Sequence, residues 1–213
     1  MNAERARDPH AGGRVLTAGA DPATARLAGI LVHGRGGSAD DMLALAAAFA
    51  LSDVAWLAPE AEASSWYPHS FLAPIADNEP WLSSAIRRLG SIRDSLGERG
   101  VPPARIALIG FSQGACLALE FAARHAARWA AVAGLSGGLI GPGGTPRDYA
   151  GDFNRTPVFL GVSDIDPHIP IARVHETAEV FRRMGAEVDE RIYPRMGHTV
   201  NDDEVAAVRA LLM

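Results

Sequence analysis

The chain predicts an α/β fold, a mostly parallel central sheet with helices on both faces. Short apolar runs such as Ala28-Gly29-Ile30-Leu31-Val32 recur without polar alternation, as strands buried on both faces do. Segments of helical period separate them, which is the pattern of a sheet wound with crossover helices. One apolar run, Ile106-Ala107-Leu108-Ile109, ends in Gly110-Phe111-Ser112-Gln113-Gly114 and enters an alanine-rich helical stretch. Strand, sharp turn and helix in that order are the setting in which a Gly-x-Ser-x-Gly serine is presented at the open end of a sheet.

The elements follow in chain order. Residues 1–12 read as a flexible tail and 13–213 as a single domain. Val15-Leu16-Thr17 is a short edge strand and Ala25 to His33 a buried one. Gly34 to Gly37 is a glycine-rich turn. Ser38 is positioned as an N-cap, with Asp40 and Asp41 in the first turn, where the helix dipole favours acids. The helix continues from Met42 to Leu51, and Asp53 to Ala58 is the next strand, stopped by Pro59. Residues 60–80 show no period and form a long loop, which inside a compact domain points to function. Trp81 to Arg99 is a helix with Ile86, Leu89, Ile92 and Leu96 on one face. Arg105 to Ile109 is the strand before Ser112, Gln113 to Arg128 the helix after it, and Ala130 to Leu135 a buried strand. Residues 141–156 are loop, rich in glycine and proline. Val158 to Val162, Ile171 to Met184, Val188 to Tyr193 and Asp202 to Leu212 are strand, helix, strand and closing helix.

Composition narrows the function. With 213 residues and 48% hydrophobic content, the chain builds one sizeable core. A net charge of −5 without a basic stretch argues against a nucleic-acid partner. All 20 basic residues are arginine, so no lysine Schiff base can form. The one cysteine, Cys116, allows no internal disulfide and no cysteine-based zinc site. It reads as a small buried residue rather than a second nucleophile. Met1 to Gly13 lacks the apolar core of a secretory signal, and no apolar run reaches the length of a membrane span, so the expectation is a cytoplasmic protein.

A serine hydroxyl needs a base to become a nucleophile, and histidine is the usual one. Of seven histidines, His198 stands out. It follows a strand and the turn Pro194-Arg195-Met196-Gly197, at the sheet edge where Ser112 also lies. The strand ending at Val162 runs into Ser163-Asp164-Ile165-Asp166-Pro167-His168, so two acids, Asp164 and Asp166, reach the same edge. The order Ser, Asp, His is that of α/β-hydrolases.

Four segments together carry a resemblance to a known family. They are Leu31-Val32-His33-Gly34-Arg35-Gly36-Gly37, Gly110-Phe111-Ser112-Gln113-Gly114, Asp166-Pro167-His168-Ile169-Pro170, and Tyr193-Pro194-Arg195-Met196-Gly197-His198. Covering residues 30 to 200, they resemble the phospholipase/carboxylesterase group of α/β-hydrolases, which includes acyl-protein thioesterases and small bacterial esterases. The resemblance implies an α/β-hydrolase fold with little or no lid. It also selects Asp166, the acid before the proline, over Asp164, which is left as a helper or loop cap. His168 departs from the family, where a small apolar residue is commoner.

The implied enzyme is a serine hydrolase of carboxylic esters or thioesters, with no cofactor and no metal. The Gln113 amide follows the nucleophile and supplies one oxyanion donor. The resemblance points to the Arg35 amide for the other, and each is worth roughly 3 kcal/mol to the barrier. The Arg35 side chain is expected to meet an anionic substrate or a loop acid. Trp66, Tyr67, Phe71 and Leu72 are the expected substrate wall, with Leu139 and Ile140 adding to it. Without a long insertion between Leu135 and Pro157 to make a large lid, the pocket is expected to be open, favouring short or medium acyl groups. The expected partner is a small ester or thioester, and a homodimer is allowed.

Three rival readings have specific motives. A binding module could keep the fold without hydrolysis. A metal-assisted hydrolase could use Asp164, Asp166, His168 and His198 as ligands. Gly34-x-Gly36-x-x-Ala39 with Asp53 imitates a dinucleotide fingerprint, but Asp40 and Asp41 would repel a pyrophosphate.

Overall fold

The computed structural model describes residues 8–213. Its seven-stranded sheet has the order β1-β3-β2-β4-β5-β6-β7. The strands are β1 (Val15–Gly19), β2 (Leu27–Val32), β3 (Val54–Pro59), β4 (Ile106–Phe111), β5 (Ala131–Leu135), β6 (Pro157–Ser163) and β7 (Glu187–Tyr193). β1 runs antiparallel to β3 at one edge. The other pairings are parallel, so the loops after β2, β4, β6 and β7 all emerge at one end of the sheet. That shared end lets residues far apart in sequence meet.

The helices are α1 (Ala39–Ala48), α2 (Trp81–Glu98), α3 (Gln113–Arg124), α4 (Ile171–Arg183) and α5 (Asp202–Leu211). Side chains of α2, α3 and α4 build the core on one face of the sheet. Those of α1 and α5 build the core on the other. The six residues of β2 and the five of β5 are all buried, which is why those runs carry no polar alternation. Ser38 caps α1 in a capping box with Asp41. α1 stops at Ala48, short of the expected Leu51, and Ala50 leaves the helix at φ 53°. α3 stops at Arg124 rather than Arg128, because His125 leaves the helical region at φ −124° and ψ 47°.

Residues 1–7 of the expected tail lie outside the described residues, whereas residues 8–12 are built into the fold. His10 is buried. Its backbone N–H donates to Ser84 Oγ at 2.9 Å. Its Nδ1 accepts from the Glu62 amide at 3.1 Å, which leaves Nε2–H to donate to the Trp66 carbonyl at 3.0 Å. Burial pushes the His10 pKa below its ordinary value, in keeping with a neutral ring that both donates and accepts.

Candidate active site

The turn after β4 sets the site. Ser112 has φ 54° and ψ −120°, a conformation a non-glycine residue rarely holds. Two main-chain bonds hold it there: its N–H donates to the Leu135 carbonyl at 2.9 Å, and its carbonyl accepts from the Cys116 amide at 3.0 Å. The flanking glycines are needed for close packing of strand and helix. A Cβ at Gly110 would stand 2.3 Å from the Gly114 carbonyl oxygen, and one at Gly114 would stand 2.1 Å from that of Val32.

Ser112, His198 and Asp166 meet at the end of the sheet. Ser112 Oγ lies 2.7 Å from His198 Nε2, and His198 Nδ1 lies 2.7 Å from Asp166 Oδ2. The Nδ1–H tautomer satisfies both contacts, donating to the carboxylate and accepting from the hydroxyl. The Asp166 side chain is fully buried. Its Oδ1 accepts from the amides of His168 at 2.8 Å and Ile169 at 3.0 Å. Burial pushes its pKa up, but the His198 bond and the two amides outweigh burial and hold it below the ordinary value. Asp164 does not touch His198. It accepts from the Arg195 amide at 2.6 Å and so ties the loop that carries His198 to the end of β6. Ser163 Oγ bonds the Met196 carbonyl of the same loop.

The turn after β2 faces the serine. Its Gly36 amide is committed to the Ser64 carbonyl and its Gly37 amide to the Gly34 carbonyl. Among the described residues no main-chain acceptor takes the Arg35 amide. Gln113 is the first residue of α3, so no helical carbonyl precedes its N–H. Beneath this turn His33 is a buried strut. Its Nε2 accepts from the Ala61 amide at 3.1 Å and its Nδ1–H donates to the Gly34 carbonyl at 2.7 Å.

The Arg35 side chain lines the cavity over Ser112 and pairs with no loop acid among the described residues. Its Nη1 donates to Ser65 Oγ and the Pro68 carbonyl, each at 3.0 Å, and its Nη2 to the carbonyls of Tyr67 and His69, each at 2.8 Å. The Gln113 carboxamide grips the same segment: Oε1 accepts from the Trp66 amide at 2.9 Å and Nε2 donates to the Tyr67 carbonyl at 2.8 Å. Both grips were missed from sequence. Their one signal there is a long polar side chain standing where the glycine-rich turn needs only small residues.

A cavity of about 560 Å³ opens over Ser112. Tyr67, Phe71, Cys116 and Ile169 give it apolar lining. Of the expected wall, Tyr67 and Phe71 are in place, but Trp66 and Leu72 do not line it. Trp66 is fully buried, with its indole N–H donating to the His33 carbonyl at 2.8 Å, so it pins the segment to the core. Leu72 is half-buried and packs against the core instead. Leu139 and Ile140 are likewise core and not wall. Cys116 is buried and accepts from the Gly138 amide at 3.5 Å, and burial pushes its thiol pKa up to about 12. It is therefore a thiol at neutral pH, a poor nucleophile.

The dinucleotide motif is split across the sheet, and the conjectured metal ligands are engaged within the site. Asp53 pairs with Arg26 at 2.7 Å on the strand-start side of the sheet, far from the Gly34–Gly37 turn. Asp164 and His198, two of the four conjectured metal ligands, are engaged by Arg195 and by Ser112 with Asp166.

Sheet order, the sharp strand-to-helix turn at Ser112 and the serine–histidine–aspartate chain place the molecule among the α/β-hydrolases. More narrowly, the chain belongs to the phospholipase/carboxylesterase family, whose match runs over residues 12–213. A phospholipase/carboxylesterase from Dyadobacter fermentans is 38% identical, with 95% of this chain and 97% of that one covered and a TM-score of 0.92. The acyl-protein thioesterase 1 of Gibberella zeae is 32% identical over 121 residues, 54% of this chain and 50% of its own length. That of Saccharomyces cerevisiae is 32% identical over 111 residues, 51% of this chain and 48% of its own. The chain thus spans about half the length of the curated relatives it matches. Among the described residues, no helix is long and apolar enough to cross a membrane.

Proposed function

We propose that the protein is a serine hydrolase that cleaves short- to medium-chain carboxylic esters or thioesters through an acyl-serine intermediate. One observation carries the reading: Ser112 Oγ, His198 and Asp166 form an unbroken chain of 2.7 Å contacts beneath an open cavity. Ser112 Oγ attacks the carbonyl carbon while His198 Nε2 takes its proton. Asp166 holds the imidazole in the required tautomer and stabilises the cation that forms. The amides of Arg35 and Gln113 receive the developing oxyanion. His198 returns the proton to the leaving alcohol or thiol. Water, deprotonated by His198, then attacks the acyl-serine; the acyl–Oγ bond breaks, His198 passes the proton to Ser112 Oγ, and the acid is released.

The cavity suits a substrate of this size, since small-molecule sites generally occupy ~300–1,000 Å³. The reading includes a single catalytic domain and residence in the cytoplasm. Ser112→Ala is expected to abolish turnover of a p-nitrophenyl short-chain ester and labelling by a fluorophosphonate. Labelling of that variant at the wild-type rate would sink the assignment.

A further inference from the structure

The formal charges on the residues that line the cavity are one-sided. No aspartate or glutamate is among its lining residues, although the chain as a whole carries −5. Arg35 lines it, and the guanidinium partners are four neutral oxygens, with no carboxylate ion pair among the described residues. Most other charges nearby have partners or lie outside the lining. Glu120 is joined to Arg124 at 2.7 Å, and Arg173, under the Phe71 ring, shares Glu176 with Arg147, each at 2.8 Å. Asp166 is buried behind the neutral His198 ring and does not line the cavity.

Two further imidazoles line the same cavity. His69 comes from the segment that Arg35 grips, and its carbonyl is one of the four oxygens. His168 comes from the Asp166 loop and stands edge-on to His198, with ring centroids 4.9 Å apart. Either tautomer of an imidazole offers an N–H donor. An uncompensated cation and two donors thus face a space that opens directly onto Ser112.

We propose that the cavity is built for esters carrying a second, ionised carboxylate, received by His69 and His168 in the field of Arg35. This rests on the serine-hydrolase reading and narrows its substrate class. A cleft lined by charge of one sign concentrates the opposite charge and raises encounter rates about tenfold or more at low ionic strength.

The test compares charged esters with neutral isosteres at pH 7 and low salt. Monoethyl glutarate is set against ethyl pentanoate, and O-butyryl glycolate against propyl butyrate, so the carboxylate lies on the acyl side or the alcohol side. The expected result is a kcat/KM about tenfold higher for at least one charged ester than for its isostere. That ratio should fall towards one in 0.5 M NaCl and in the His69→Gln/His168→Gln double variant. Turnover of the neutral esters with a ratio of one or less overturns the inference and leaves the hydrolase reading standing. So does a preference for butyryl-glycerol phosphate without one for either carboxylate ester. No turnover of any ester, with no fluorophosphonate labelling of Ser112, removes both.

Discussion

At Asp166 three donors converge on one carboxylate, the His198 ring and two main-chain amides. An ionised carboxylate accepts from all three, and a carboxamide cannot. Asp166→Asn presents an NH2 group to at least one of them and favours the wrong imidazole tautomer. It is expected to lower kcat by about 10³–10⁴ while the fold is kept. Steady-state kinetics with circular dichroism on the variant check this. Ser112 and Asp166 were legible because each sits in a loop directly after an apolar run, and His198 because its loop follows the polar edge strand β7; a parallel sheet sends such loops to one end. The choice between Asp164 and Asp166 was not local. Both reach that end, and they differ only in what they face: an amide of the His198 loop, or the imidazole.

The buried strands and most helices were equally legible, since burial on both faces leaves a continuous apolar record. The 60–80 segment left none. Its order comes from side chains distant in sequence: Arg35, Gln113 and His33 hold its backbone, and Asn78 bridges His69 and Ser70 from within. Such side-chain-to-backbone bonds follow no period, so four residues there read as pocket wall when two of them, Trp66 and Leu72, pack into the core. The same bonds give the Arg35 guanidinium a positioning role. Arg35→Leu keeps the amide of residue 35 but removes four hydrogen bonds to residues 65–69. Amide exchange in 65–69 is expected to quicken about tenfold or more, which hydrogen-exchange mass spectrometry reads. kcat should fall ten- to hundredfold, as small misplacements of a reacting geometry do, with a lesser change in KM.

Across the whole molecule, the sheet is closed at its back by α5, and one buried acid makes that contact depend on pH. Glu204 is fully buried; one oxygen accepts from the Asn201 amide at 3.0 Å, and the other has no partner among the described residues. Gly161 leaves room for it, since a Cβ there would lie 2.2 Å from that oxygen. Burial raises the Glu204 pKa to about 7, against the Asn201 bond and with help from Asp203. The native state therefore keeps a proton that the unfolded chain, with an ordinary value of 4.5, has released. Stability from this group is full below the unfolded value and is lost as pH rises towards 7. Glu204→Gln should raise Tm by ~3–6 °C at pH 8 and leave it unchanged near pH 4, which calorimetry at the two pH values decides. The His10 bonds carry a different lesson, about where the chain can be cut. A recombinant product started at residue 12, where the family match begins, would amputate His10. The Trp66 carbonyl and Glu62 amide would then lose the ring that joins them, and each buried polar group left unpaired costs about 1–3 kcal/mol. Expression boundaries for this protein belong ahead of Asp8.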